Sequence, residues 1–239
     1  MAFSAAGLPA PSVYPLPARR RGPLHPVSSA IPLRSLTVLV VDDHPVILRG
    51  LTNLLGDEPG IEVLANVDDH TQALAAARRL HPEIAVIDFH MAGENGLELA
   101  CRLGSLPIAP RVVVYSAFPG VALVAGAMVA GAYAVIAKSA LPHELIDAIH
   151  AARNGRRTLP AIARPELTAL IAGLEPPDQS LLGMFAHGIP AEQIARILGL
   201  SEPELLERRR RIVRALSKPS NATLGSLTNG ALHYSHGRH

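Results

Sequence analysis

The chain has 239 residues, 22 Lys and Arg against 20 Asp and Glu, and a formal net charge of +2. Apolar residues make up 49% while aromatics are 3% and Trp is absent, which excludes a wholly disordered chain and calls for an aliphatic core. The single cysteine, Cys101, excludes an internal disulfide framework and a Cys-based zinc site, and fits a reducing, cytoplasmic setting.

Residues 1–35 hold 7 of the 21 prolines and carry Arg19, Arg20, Arg21 and Arg34 with no acid. No helical or strand period runs through them, so they read as a disordered extension. The arginines come too late, with no adequate apolar stretch behind them, for a signal peptide. From residue 36 short apolar runs alternate with amphipathic ones. Thr37 to Val41, Ile61 to Val67, Ile84 to Phe89, Val112 to Tyr115 and Tyr133 to Ala137 read as strands. Pro45 to Leu55, Thr71 to Leu80, Leu97 to Leu103, Val121 to Ala130 and Pro142 to Arg153 read as the helices between and after them. The 26 uncharged residues Val112–Ala137 raise the question of a membrane span, but Pro119-Gly120 and the change from β-branched to Ala-rich texture divide them into strand, helix and strand. The pattern predicts an α/β fold, a doubly wound (βα)5 parallel sheet over residues 36–153 with helices on both faces. The apolar helix Val121 to Ala130 offers itself as a dimer surface.

After Asn154-Gly155 the strands stop. Residues 154–173 read as a linker holding one helix, and 174–217 as a small all-α domain. Residues 218–239 read as a weakly structured tail, with Asn221 to Tyr234 the place for a short fourth helix and His233, His236 and His239 solvated. Charge follows this division: residues 36–153 carry a net −6 and residues 154–217 a net +2.

Function in an open parallel sheet gathers at the carboxyl ends of the strands. Those ends carry Asp42 and Asp43, then Asp88, then Ser116, then Lys138. Three clustered carboxylates repel one another unless a divalent cation neutralises them, and oxygen ligands suit Mg2+. One carboxylate beside that ion can attack a phosphoryl donor, with the ammonium and the hydroxyl receiving the phosphoryl oxygens. His44 and His90 flank the rim and read as partly exposed side chains rather than ligands.

These residues resemble a known family. Val38-Leu39-Val40-Val41-Asp42-Asp43-His44-Pro45 looks like the opening of a two-component response-regulator receiver of the NarL/FixJ type, and Ile87-Asp88-Phe89-His90-Met91 like its phosphoacceptor segment. The resemblance covers about residues 37–153. It implies that Asp88 is phosphorylated by a sensor histidine kinase, that Asp43, Asp88 and the His90 carbonyl bind Mg2+ with Asp42 acting through water, and that Ser116 and Lys138 contact the phosphate. Ala92 stands where the family usually has Pro, and Val135 where it often has an aromatic switch residue. A phosphatase is disfavoured because His90, not an acid, lies two residues after Asp88. The chain reads as a signalling protein that accepts a phosphoryl group, not as a classical enzyme.

Asp178 to Leu216 resembles a LuxR-type helix-turn-helix, with Gly188 ending one helix and Ser201-x-x-Glu204 capping the next. At 100° per residue Leu205, Ile212 and Leu216 share a core face while Glu207, Arg210, Arg211 and Arg214 point away from it. Arg210, Arg211 and Arg214 on that face, with Arg208 from the same basic run, are the candidate DNA contacts, on a homodimer formed after activation. Leu206, where the family is usually basic, and Glu207 support a rival: a receiver whose helical domain has lost DNA binding and contacts another protein.

Overall fold

A computed structural model describes residues 34–218. The expected extension before Arg34, and the expected tail with its fourth helix beyond Lys218, lie outside them.

The short apolar runs become strands because each is covered on both faces. β1 (Leu36–Val41) and β3 (Ile84–Asp88) are almost entirely buried. Between and after them run α1 (Pro45–Gly56), β2 (Ile61–Val67), α2 (His70–Leu80), α3 (Gly96–Leu103), β4 (Arg111–Ser116), α4 (Val121–Ala130), β5 (Ala134–Ala137) and α5 (Pro142–Arg153). The sheet is parallel throughout, in the order β2-β1-β3-β4-β5. The chain reverses direction across the sheet between β1 and β3, which opens a crevice at their carboxyl ends. Val41 pairs with Ile87, so Asp42 and Asp88 leave the sheet side by side. Caps fix where helices begin: Asp69 accepts from the Gln72 amide at 2.8 Å at the start of α2, and Asn95 from the Glu98 amide at 3.0 Å at the start of α3.

One face of the sheet is covered by α1 and α5 through Leu51, Leu55, Leu145 and Ile149. The other is covered by α2, α3 and α4. This second core does not stop at the helices. It runs on into α6 (Arg164–Ala172), α7 (Pro176–Ala186), α8 (Ala191–Leu198) and α9 (Glu202–Ser217), taking in Leu181, Leu182, Phe185, Ile194, Leu205, Ile212 and Val213.

The continuity explains α4. Seven of its ten residues are buried, and none of the ten is charged. A helix apolar on every side must be covered on every side. Beyond the core beneath it, α4 packs against α9, its most extensive helix partner, and against α7. The α4 face expected as a dimer surface is, in this arrangement, occupied by the chain's own helices. No described helix is long and apolar enough to cross a membrane.

Candidate functional site

Asp42 and Asp43 follow β1, Asp88 ends β3, Ser116 ends β4 and Lys138 follows β5, and the parallel register brings all five to one rim. Asp42, Asp88 and Ser116 are buried. Lys138 Nζ lies 2.8 Å from Asp42 Oδ2 and 3.0 Å from Asp88 Oδ2. Local backbone amides orient the carboxylates: His44 N donates to Asp42 Oδ1 at 2.8 Å and His90 N to Asp88 Oδ1 at 3.3 Å. Asp43 Oδ2 accepts from the Ala92 amide at 2.8 Å, tying the loop after β1 to the loop after β3.

Two carboxylate oxygens, Asp43 Oδ1 and Asp88 Oδ2, are buried and meet only ion-pair partners, His44 for the first and Lys138 for the second. Ligand atoms of Asp42, Asp43, His44 and Asp88 all lie within 4.8 Å of one another. Burial pushes the Asp88 carboxyl above its ordinary value, with Asp42 adding to the rise and Lys138 opposing it. Burial alone would lower the Lys138 ammonium, but Asp42 and Asp88 together outweigh it and hold it above its usual value. The cluster thus has three carboxylates for one ammonium and suits a divalent cation. His44 enters more closely than the sequence suggests. Its Nδ1 is 2.7 Å from Asp43 Oδ1 and 3.4 Å from Asp42 Oδ1. The signal was its place next to the acidic pair, where a turn folds the imidazole back over the carboxylates.

Gly96 sets how closely α3 approaches this rim. A Cβ there would overlap the Asp88 carbonyl oxygen. Past Gly96, α3 reaches α9. Arg214 Nε donates to Glu98 Oε2 at 2.7 Å, and Arg210 Nη2 lies 3.3 Å from Glu94 Oε1 and 3.6 Å from Glu98 Oε2. The Asn95 amide, besides capping α3, donates to Ser217 Oγ at 3.2 Å. The outward arginine face expected of α9 is therefore engaged by acids of the same chain, while Arg211 and Arg214 stay about half exposed. Arg210 and Arg214 point at Glu94, just before α3, and at Glu98 within it, and Glu207, one of the two residues behind the rival reading, bridges the two arginines at 3.4 and 3.7 Å. Arg211 makes a two-pronged pair with the buried Asp178 at the start of α7, both contacts at 2.6 Å. Arg208, half-buried, has no ion pair among the described residues. Sequence reasoning missed Glu94, Asn95 and Glu98, which no local pattern marks, and Arg209, which turns inward.

A family model described as the response regulator receiver domain matches residues 38–150. The nitrate/nitrite response regulator protein NarL of Escherichia coli K12 is 30% identical over 177 residues, covering 70% of this chain and 82% of that one. The DNA-binding transcriptional activator DevR/DosR of Mycobacterium tuberculosis is 30% identical, with 69% of this chain and 81% of that one covered. Among solved structures, a two-component response regulator of the LuxR family from Aurantimonas is 32% identical. It covers 56% of this chain and 96% of that one at a TM-score of 0.51.

Proposed function

The chain belongs to the NarL/FixJ family of two-component response regulators, phosphorylated transcription regulators that bind DNA, and from that premise we propose that a sensor histidine kinase phosphorylates it on Asp88. We divide it accordingly into a receiver over 36–153, a linker over 154–173 and a helix-turn-helix domain over 174–217. The observation that carries this reading is the convergence of Asp42, Asp43, Asp88 and Lys138 on one rim, three carboxylates sharing one ammonium.

The acidic set fits Mg2+. Asp43, Asp88 and the His90 carbonyl would hold it, with Asp42 acting through water. When bound, the ion neutralises the carboxylates and polarises the phosphoryl oxygens. An Asp88 oxygen bonds to phosphorus as the bond from phosphorus to the donor nitrogen breaks, and that electron pair leaves with the donor imidazole. Lys138 then pairs with the phosphoryl oxygens, and the Ser116 hydroxyl donates to them.

The same rim governs α9. Glu94, Asn95 and Glu98 follow directly on the Asp88 loop and hold Arg210, Arg214 and Ser217. A phosphoryl group on Asp88 displaces that loop and with it the acids, which frees α9. Arg208, Arg210 and Arg214 then grip phosphates and base edges of DNA, in a homodimer. Arg211 stays with Asp178.

Labelling with acetyl phosphate in Mg2+, followed by mass spectrometry, tests the first step. The expected result is one adduct of about 80 Da on the wild type and none on Asp88→Asn; an unlabelled wild type overturns the reading. Leu206, half-buried beside a groove between α8 and α9, favours the rival reading in which this domain contacts a protein. Phosphorylated protein that binds no genomic fragment at any salt concentration would establish that rival.

A further inference from the structure

Arg209 is the one residue of the arginine run that turns into the molecule, and it is 8% exposed. Its Nε donates to the Val129 carbonyl at 2.8 Å, and its guanidinium lies 5.7 Å from the Phe185 ring centre. A guanidinium has five N–H donors. The four on Nη1 and Nη2 have no hydrogen-bond acceptor among the described residues, and no described carboxylate lies within ion-pair distance. Nη2 lies near the ends of two helices, 3.1 Å from where a Gly131 Cβ would stand and 4.0 Å from where a Gly104 Cβ would. The partial negative charge of those ends offsets some of the burial cost but leaves the donors open. An aliphatic side chain would fill the same space without desolvating a charge.

The open donors border a half-open cleft of about 660 Å3 between the loops before β3 and β4, the ends of α4 and α7, the start of α8 and the start of the linker. That volume is within the range of small-molecule sites. Arg34, Arg111 and Arg157 line it together with Arg209, against Glu83 and Glu192. Glu83 already spends an oxygen on the Thr37 amide at 3.2 Å, and Arg111 and Arg157 flank the Tyr133 ring at 5.8 and 5.3 Å. Neither residues 1–33 nor residues 219–239 contain an acidic side chain.

We propose that this cleft binds a small organic anion whose carboxylate or phosphate group sits on the Nη atoms of Arg209. Because Arg209 belongs to α9, the site is complete only while α9 is docked on α4. A ligand there holds α9 in place by linkage; that consequence, unlike the site itself, rests on the DNA-binding reading.

Thermal melting of the full chain in EDTA tests the site without metal or phosphorylation. The probes are inorganic phosphate and succinate, each matched in ionic strength with sodium chloride. The expected result is a saturable rise in Tm with at least one probe, unchanged in Asp88→Asn. Apparent affinity falls at least about tenfold in Arg209→Met and several-fold in Arg157→Gln, an exposed substitution that carries the comparison if Arg209→Met does not fold. A response to phosphate alone or to succinate alone assigns the anionic group. The proposal is overturned if neither probe acts beyond sodium chloride, if both arginine variants respond as wild type does, or if Asp88→Asn abolishes the response.

Discussion

Gly96 lacks a side chain because the Asp88 carbonyl oxygen fills the space a Cβ would take. Gly96→Ala must therefore push the α3 N-terminus off the end of β3. The expected cost is about 1–3 kcal/mol, as for other forced overpacking, with slower labelling of Asp88. Urea unfolding and acetyl phosphate labelling measure the two, and a variant with wild-type values in both would show that the contact is slack. Five residues on, Cys101 is fully buried and its thiol is pushed up to about 11 by burial, partly offset by Arg209 and Arg210. The unfolded thiol loses its proton near 9.0, so the folded state binds that proton more tightly. Its contribution is complete below pH 9 and drains away between pH 9 and 11, on the order of 3 kcal/mol. Stability of the wild type should fall more steeply than that of Cys101→Ala over that window. Parallel pH profiles would contradict it.

At the scale of elements, α3 is the link between rim and arginine helix. Glu98 is 5% exposed and faces both Arg210 and Arg214. Arg214 is nearly half exposed, so the pair is worth well below a fully buried one. Glu98→Ala should still favour release of α9 and raise DNA affinity of the unphosphorylated protein by roughly tenfold. Fluorescence anisotropy on selected DNA, at fixed salt, reads this, and an unchanged affinity would show that Glu98 does not restrain α9. Almost every element was legible in the sequence, since β-branched runs and Ala- or Leu-rich helices have different periods, and the rim residues were legible because each sits at a strand end. The grip of α3 on α9 was not. It joins residues more than a hundred positions apart, and nothing in the local spacing of Glu94, Asn95 and Glu98 marks them as partners of Arg210 or Arg214. Arg209 lies beside the core face set by Leu205 and Ile212, and the docking of α9 on α4 buries it there.

For the whole molecule, α4 is the apolar face that has to be covered. Its apolar, uncharged sequence does demand a partner, and α9 with α7 supplies one within the chain. The face is not available to a second copy while it is so covered. Docking of α9 and self-association through α4 are therefore alternatives, and whatever releases the first exposes the surface for the second. Exposed together, the buried residues of α4 and the apolar side chains of α9, Leu205, Ile212 and Val213, leave a patch that water disfavours. Association then offsets part of the cost of opening. The unphosphorylated chain should sediment as a monomer and the phosphorylated chain as a dimer. Glu98→Ala should shift toward dimer without phosphorylation, while amide exchange speeds up together in 121–130 and 202–217. A phosphorylated dimer in which both segments keep their protection would place the interface elsewhere and leave α9 docked.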